Sequence, residues 1–136
     1  MTPNPKVIAL DASVMEAARL MKENGCSTII VSNDNHPIGL ISYSDIVNKV
    51  VAEDKSPQTI LVKEIYNSNF TICHSEDSCE RAGLIMEKEL TKTIIVVDEN
   101  KKIVGILSLT DIASKTSDEI LTGEIFRILC EAKHKL

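Results

Sequence analysis

The sequence contains no tryptophan, and only 3% of its residues are aromatic. A core made from it has to be aliphatic, and it offers no platform on which single-stranded nucleic acid could stack. Basic charge is also short: 15 Lys and Arg face 20 Asp and Glu, giving a net charge of -5 and a pI near 5.2. A field of that sign repels a phosphate backbone, so DNA is not an expected partner, although a local basic pocket can still hold one small anion. No apolar run approaches the ~20 residues that cross a bilayer. The opening Met1-Thr-Pro-Asn-Pro carries neither a basic nor an apolar leader region. The expectation is a cytoplasmic protein without membrane contact.

Cysteine is sparse and scattered. Cys26, Cys73, Cys79 and Cys130 contain no Cys-x-x-Cys, which argues against a zinc ribbon or a thioredoxin-type site and for buried free thiols. Cys73, His74 and Cys79 could supply three metal ligands, but the alternation of a strand would send Cys73 and His74 to opposite faces. No metal is expected.

What is present is ordinary globular material, 43% hydrophobic and 26% charged over 136 residues, enough for one compact domain or two half-size repeats. The repeats are visible. An offset of 65 aligns Asn4 with Asn69, Ser13 with Ser78, Ala17 with Ala82, Met21 with Met86 and Thr28-Ile-Ile-Val31 with Thr93-Ile-Ile-Val96. One inserted residue then moves the offset to 66, where Gly39, Ser42, Asp45, Ile46 and Lys49 meet Gly105, Ser108, Asp111, Ile112 and Lys115. The chain is a duplication.

Each copy reads as strand, helix, strand, strand, helix, an α+β (mixed α/β) pattern. Extended starts at Val7-Ile-Ala9 and Phe70-Thr-Ile-Cys73 lead to helices capped by Ser13 and Ser78. Their inner faces are Val14, Ala17, Ala18, Met21 and Cys79, Ala82, Gly83, Met86. Thr28 to Ser32 with Ile38 to Ser42, and Thr93 to Val97 with Ile103 to Ser108, are predicted hairpins joined by polar turns. A final helix begins near Ser44 or Thr110, with Ile46, Val47 and Val50, or Ile112, Ala113 and Thr116, on its inner face. Repeat one is thus placed at 1–52, a polar linker at 53–59 and repeat two at 60–116. An amphipathic helix over 117–136 carries Leu121, Ile125, Ile128, Leu129 and Ala132 on one stripe.

The chemically informative feature is shared by both copies: Gly39-Leu-Ile-Ser42-Tyr-Ser-Asp45-Ile46 and Gly105-Ile-Leu-Ser108-Leu-Thr-Asp111-Ile112. Backbone N–H groups at such a strand-to-helix junction, with the hydroxyls of Ser42, Ser44, Ser108 and Thr110, suit a phosphate. An aspartate in the first turn can accept two hydrogen bonds from a vicinal diol such as that of ribose. Ser-x-x-Asp before an apolar run is equally an ordinary helix cap.

On these motifs the chain, from Met1 to about Thr116, resembles a tandem pair of CBS (cystathionine beta-synthase) domains, a Bateman module. The resemblance implies two repeats packed sheet to sheet with pseudo-two-fold symmetry, and clefts that take AMP, ADP, ATP or S-adenosylmethionine. It further implies a ribose contact at Asp45 and Asp111, phosphate hydroxyls at Ser42, Ser44, Ser108 and Thr110, and apolar contacts to the base at Leu40 and Ile106. One cleft would group Val7, Cys26 and Thr28 with Ile106, Ser108, Thr110 and Asp111. The other would group Ile72, Thr91 and Thr93 with Leu40, Ser42, Ser44 and Asp45. Lys92, where the first repeat has Ser27, would reach the phosphate of its own repeat's motif. Two departures stand out: Ile29 and Ile94 replace a frequent proline, and the short helix represented before repeat two by Val62-Lys-Glu-Ile-Tyr66 has no counterpart before repeat one.

Three function classes follow. The first is a regulatory binding module, a homodimer as the resemblance implies, whose occupancy changes its affinity for an effector protein. The second is a dimerisation scaffold in which Ser42, Asp45, Ser108 and Asp111 only cap helices. An enzyme would need a positioned base, nucleophile or metal, and His36, His74 and His134 are dispersed over a turn, a strand and the tail. The expectation is a non-enzyme with no cofactor besides an adenine nucleotide or S-adenosylmethionine as regulatory ligand.

Overall fold

The computed structural model describes residues 2–89 and 91–108. The final helix of repeat two, the amphipathic stretch 117–136, and Thr110 and Asp111 lie outside the described residues. The fold is mixed α/β and divides into two compact units, Pro5–Phe70 and a second made of the first few residues together with the chain from Thr71 onward.

The first unit begins with β2 (Val7–Ile8), preceded in the chain by β1 (Thr2–Pro3), which belongs to the other unit. Helix α1 (Val14–Asn24) follows, then the hairpin β3 (Thr28–Asn33) and β4 (His36–Ser42). The sheet order is β2-β3-β4, with β2 parallel to β3 and β3 antiparallel to β4. Ser13 caps α1 as its sequence predicts, its Oγ accepting the Glu16 N–H at 3.1 Å. Gly25 ends the helix at φ 61, a left-handed conformation that glycine adopts without a Cβ penalty. Val14, Ala17 and Met21 of α1 are fully buried with Ile8, Ile29, Val31 and Ile41 of the sheet, while Ala18 is only partly covered.

The second unit repeats the plan. Its strands are β5 (Ile72–His74), β6 (Thr93–Val97) and β7 (Ile103–Ser108), with α4 (Cys79–Glu89) between the first two. Ser78 Oγ accepts the Arg81 N–H at 3.1 Å, and Ala82 and Met86 pack with Cys73, Ile94, Val96 and Leu107. Even the irregularities recur: the register shifts at Val31/Ser32 in one hairpin and at Val96/Val97 in the other.

The inserted residue lies in the hairpin turn. Asp34 and Asn35 both take positive φ, 50 and 62, as a two-residue turn requires. In the second hairpin only Lys101 does, with φ 62, and Asp98 anchors the longer loop by accepting the Asn100 and Lys102 N–H groups on Oδ1. This is the three-residue alternative, a tight turn followed by one left-handed residue.

One local expectation needs correcting. The helical spacing puts Val47 on a buried face with Val50, yet Val50 is fully buried and Val47 is 53% exposed. The helix after β4 starts as α2 (Tyr43–Ile46) and continues as a π-helical turn, Val47–Val51. A π turn advances each residue by less than the ~100° of an α-helix, so the expected stripe is broken. The connection between the repeats packs on the first unit. Lys55 N–H bonds to Val50 O, Met15 N–H to Pro57 O and Val14 N–H to Ile60 O, so the polar connector is strapped across the start of α1. The short helix α3 (Val62–Ile65) buries Val62 and Ile65 in the core of the first unit.

Beyond α3 the chain crosses the edge of β4. Leu40 N–H donates to Asn67 O at 2.9 Å and Asn67 N–H donates to Leu40 O at 2.8 Å. This crossing explains the motif's first residue. A Cβ on Gly39 would lie 2.5 Å from Asn67 O and 2.5 Å from the Tyr66 ring. Gly39→Ala should therefore cost ~1 to 3 kcal/mol of stability by overpacking against backbone that cannot yield cheaply. Urea unfolding is the measurement; a midpoint equal to that of the parent would show that the crossing is loose. In the second unit the equivalent edge is taken by the N-terminus: β1 runs antiparallel to β7, with Thr2 opposite Ile106 and Pro3 opposite Gly105. Its sheet is accordingly β1-β7-β6-β5.

Candidate functional site

In the first unit the hairpin register brings the motif together at one end of the sheet. Thr28 is the partner of Ser42, and the Tyr43 N–H donates to Ser27 O at 3.0 Å, so the segment from Cys26 to Thr28 runs beside the start of α2. One row further along, Val7, Ile30 and Leu40 are successive register partners. They alternate with Ile8, Ile29, Val31 and Ile41, and so occupy the sheet face that does not carry α1.

Ser42 is the N-cap of α2. Its N–H donates to Asp45 Oδ2 at 2.9 Å, its hydroxyl reaches the same oxygen at 3.1 Å, and the Asp45 N–H donates back to Ser42 Oγ at 3.4 Å. The cap that the spacing allowed is thus realised. It does not exhaust the carboxylate, because each oxygen can accept about two hydrogen bonds. Among the described residues, Oδ1 is paired with the Lys49 ammonium, at 3.2 Å. The Ser44 hydroxyl lies 2.9 Å from the Ser42 hydroxyl, in a geometry that lets either oxygen donate. The result is a cluster of two hydroxyls and one oriented carboxylate, with Ser42 and Asp45 half-buried and Ser44 exposed.

The second unit reproduces the frame as far as it is described. Thr93 is the partner of Ser108, and Ile72, Ile95 and Ile106 form the corresponding row. Thr91 Oγ donates to Thr93 O at 3.0 Å and Lys92 is exposed. Thr110 and Asp111 lie outside the described residues.

Other chemistry is thin. Burial first, and the Asp77 carboxylate second, push the Cys73 thiol above its usual pKa, which keeps it protonated and a poor nucleophile. Cys73 is buried and His74 exposed, as alternation requires. Among the described residues no group of three His, Cys, Asp or Glu could hold a metal ion, and no helix is long and apolar enough to cross a membrane. A cavity of about 410 Å³ is lined by His74, Ser75, Glu76, Asp98 and Glu99. It sits at the hairpin-turn end of β6, the opposite end from Thr93 and Ser108, and its three carboxylates repel a phosphate.

Sequence reasoning missed two participants. Lys49 stood in the repeat alignment without a role, although its place four residues after Asp45 on one helix was a signal for an ion pair. The Tyr66-Asn67 crossing had no sequence signal except the bare glycine it covers.

The family model for the CBS domain matches residues 1–52 and 62–118. The chain belongs to the CBS-domain family. It is 28% identical over 101 residues to the uncharacterized protein MK0525 of Methanopyrus kandleri, covering 74% of this chain and 52% of that protein. The chain spans about half or less of the first curated relatives it matches. The solved fold of the CBS domain protein TA0289 of Thermoplasma acidophilum is similar, with a TM-score of 0.77 at 22% identity over 94% of this chain and 72% of that one. So is the CBS domain protein PAE2072 of Pyrobaculum aerophilum, complexed with AMP, with a TM-score of 0.74 at 22% identity over 93% and 94%. The CBS pair is therefore supported by sequence and fold together.

Proposed function

We propose that this CBS pair is a regulatory module that binds an adenosine-containing ligand, AMP, ADP or ATP, and transmits its occupancy to an effector protein. The observation that carries the reading is the Asp45 carboxylate, fixed at one oxygen by Ser42 and still able to accept at the other. Two hydroxyls, Ser42 and Ser44, sit beside it for a phosphate. The AMP held by PAE2072 makes a nucleotide the first ligand to try. Asp111, with Ser108 and Thr110, is assigned the same role in the second repeat. Leu40 and Ile106 are assigned to the base with Val7, Cys26, Thr28, Ile72, Thr91 and Thr93. S-adenosylmethionine, which has the same diol and no phosphate, is the alternative ligand. A homodimer is part of the proposal, since Tyr43, Val47 and Val51 expose an apolar stripe at i, i+4, i+8 spacing that a second copy would cover.

A thermal-shift series with AMP, ADP, ATP, S-adenosylmethionine and GMP tests the reading. A ligand at a hundred times its Kd stabilises the fold by about 2.7 kcal/mol, a rise in Tm on the order of 10 °C for a chain of this size. The expected pattern is a shift with the adenine nucleotides and a smaller one or none with GMP. A flat response to all five would favour the scaffold, in which the Ser42 and Asp45 pair does nothing but cap.

A further inference from the structure

Lys49 does two things at once. Its ammonium pairs with Asp45 Oδ1 at 3.2 Å and donates to the carbonyl of Ile65, the last residue of α3, at 2.9 Å. It stands in the π-helical turn, about half exposed, while the Asp45 side chain it holds is only 14% exposed. An isolated surface ion pair would contribute little. This one is tied at its far end to backbone that is itself fixed, because Ile65 is buried in the core of the unit and the chain just beyond it pairs with Leu40.

The hydrogen-bond arithmetic of the carboxylate gives the pair a consequence. Among the described residues, Oδ2 already accepts the Ser42 N–H and the Ser42 hydroxyl, and Oδ1 accepts Lys49 with one position left. A vicinal diol needs one position on each oxygen. The Ser42 hydroxyl can turn to donate to Ser44 Oγ, 2.9 Å away, which frees the position on Oδ2 without moving the carboxylate. The Ser42 N–H on Oδ2 and Lys49 on Oδ1 then keep both oxygens in place while the diol docks.

We infer that Lys49 is a positioning residue for diol recognition: it holds the second oxygen of Asp45 in the orientation a ribose needs, and it braces that carboxylate against the α3 connector. The inference rests on the nucleotide reading of Asp45. It is specific to the diol and does not concern the phosphate or the base.

The test is a ligand and protein double cycle on the full chain. Affinities for AMP and for 2′,3′-dideoxy-AMP are measured by calorimetry in an Asp111→Ala background, which leaves the Asp45 site alone, for that parent and for its Lys49→Met and Asp45→Ala variants, the methionine keeping the stem of the lysine and removing its donors. The ratio of the two affinities reports the diol alone, so a general loss of stability cancels. In Lys49→Met the ratio should fall at least threefold, and Lys49→Arg, which retains donors and charge, should recover most of it. A ratio equal to that of the parent in Lys49→Met, with Asp45→Ala lowering it, would overturn the assignment of Lys49 and leave the nucleotide reading standing. A ratio unchanged in Asp45→Ala would show that Asp45 does not hold the diol, and both readings would fall together.

Discussion

The double variant Asp45→Ala, Asp111→Ala should lose AMP affinity by tenfold or more while remaining folded. Each carboxylate is assigned two hydrogen bonds from a ribose, and a hydrogen bond to a charged acceptor contributes ~1.5 to 3 kcal/mol. Asp45 also caps α2, so its removal leaves the Ser42 N–H without that partner and lowers stability by about 1 kcal/mol. Affinity and stability therefore have to be separated. Asp45→Asn does so, because one amide oxygen can still accept from the Ser42 N–H, whereas the amide nitrogen offered to the diol is a donor and cannot accept. Calorimetry with AMP should show Asn nearly as damaging as Ala at this site, and urea unfolding should show Asn much closer to the parent. If affinity survives both substitutions and only stability responds to Ala, Asp45 is a cap and nothing more.

That ambiguity between cap and ligand contact was readable in the residues, and the fold resolves only half of it. The cap exists; the ligand contact needs a second use of the same carboxylate, which the unsaturated Oδ1 permits. The rest of the local architecture was legible for a common reason. Ser13 and Ser78 cap helices because their hydroxyls reach N–H groups three residues on, and Met21 and Met86 are buried because helical period fixes their faces. The hairpins follow from β-branched runs interrupted by turn residues, and the 65-residue offset carries the same register into both copies. Such features depend on neighbours within a few residues.

What escaped depends on chain far away. The sheet edge beside β7 is supplied by Thr2–Pro3, and the edge beside β4 by Asn67, so each repeat is completed by the segment that precedes the other in the chain. No local pattern encodes an exchange of that kind, since two or three residues in extended conformation carry no periodicity. Gly39 alone records it, as a position where a side chain would strike Tyr66 and Asn67. The π turn at Val47–Val51 was hidden for a different reason: i+3 and i+4 spacing is compatible with an α-helix throughout, and only the burial of Val50 beside an exposed Val47 reveals the wider turn. The same turn carries Lys49, so the residue whose role was missed lies in the stretch whose geometry was misread.

The two repeats should also differ in their preference for phosphate, and Lys92 is the reason. Thr93 is the register partner of Ser108, so Lys92 stands immediately before the strand end from which the second motif departs. The corresponding position in the first unit is Ser27, next to Thr28 and its partner Ser42. An ammonium facing a phosphate is worth ~1.5 to 3 kcal/mol more than a hydroxyl where both are sheltered from solvent. Lys92 is exposed, which screens its charge and places the expected effect near the lower end, about tenfold. With the chain at a net charge of -5, the further negative charge of ATP should gain little over ADP at either site. Titrating AMP into Asp45→Ala, which isolates the Asp111 site, and into Asp111→Ala, which isolates the Asp45 site, compares the two directly. The Asp45→Ala protein should keep the tighter site, its advantage should shrink as salt is raised, and Lys92→Ser should abolish it. Adenosine, which has the diol and no phosphate, should bind the two variants alike. If Asp111→Ala kept the tighter site for AMP, or if adenosine showed the same preference as AMP, the inequality would come from the base or the diol, and Lys92 would be a solvated lysine guarding the start of its strand.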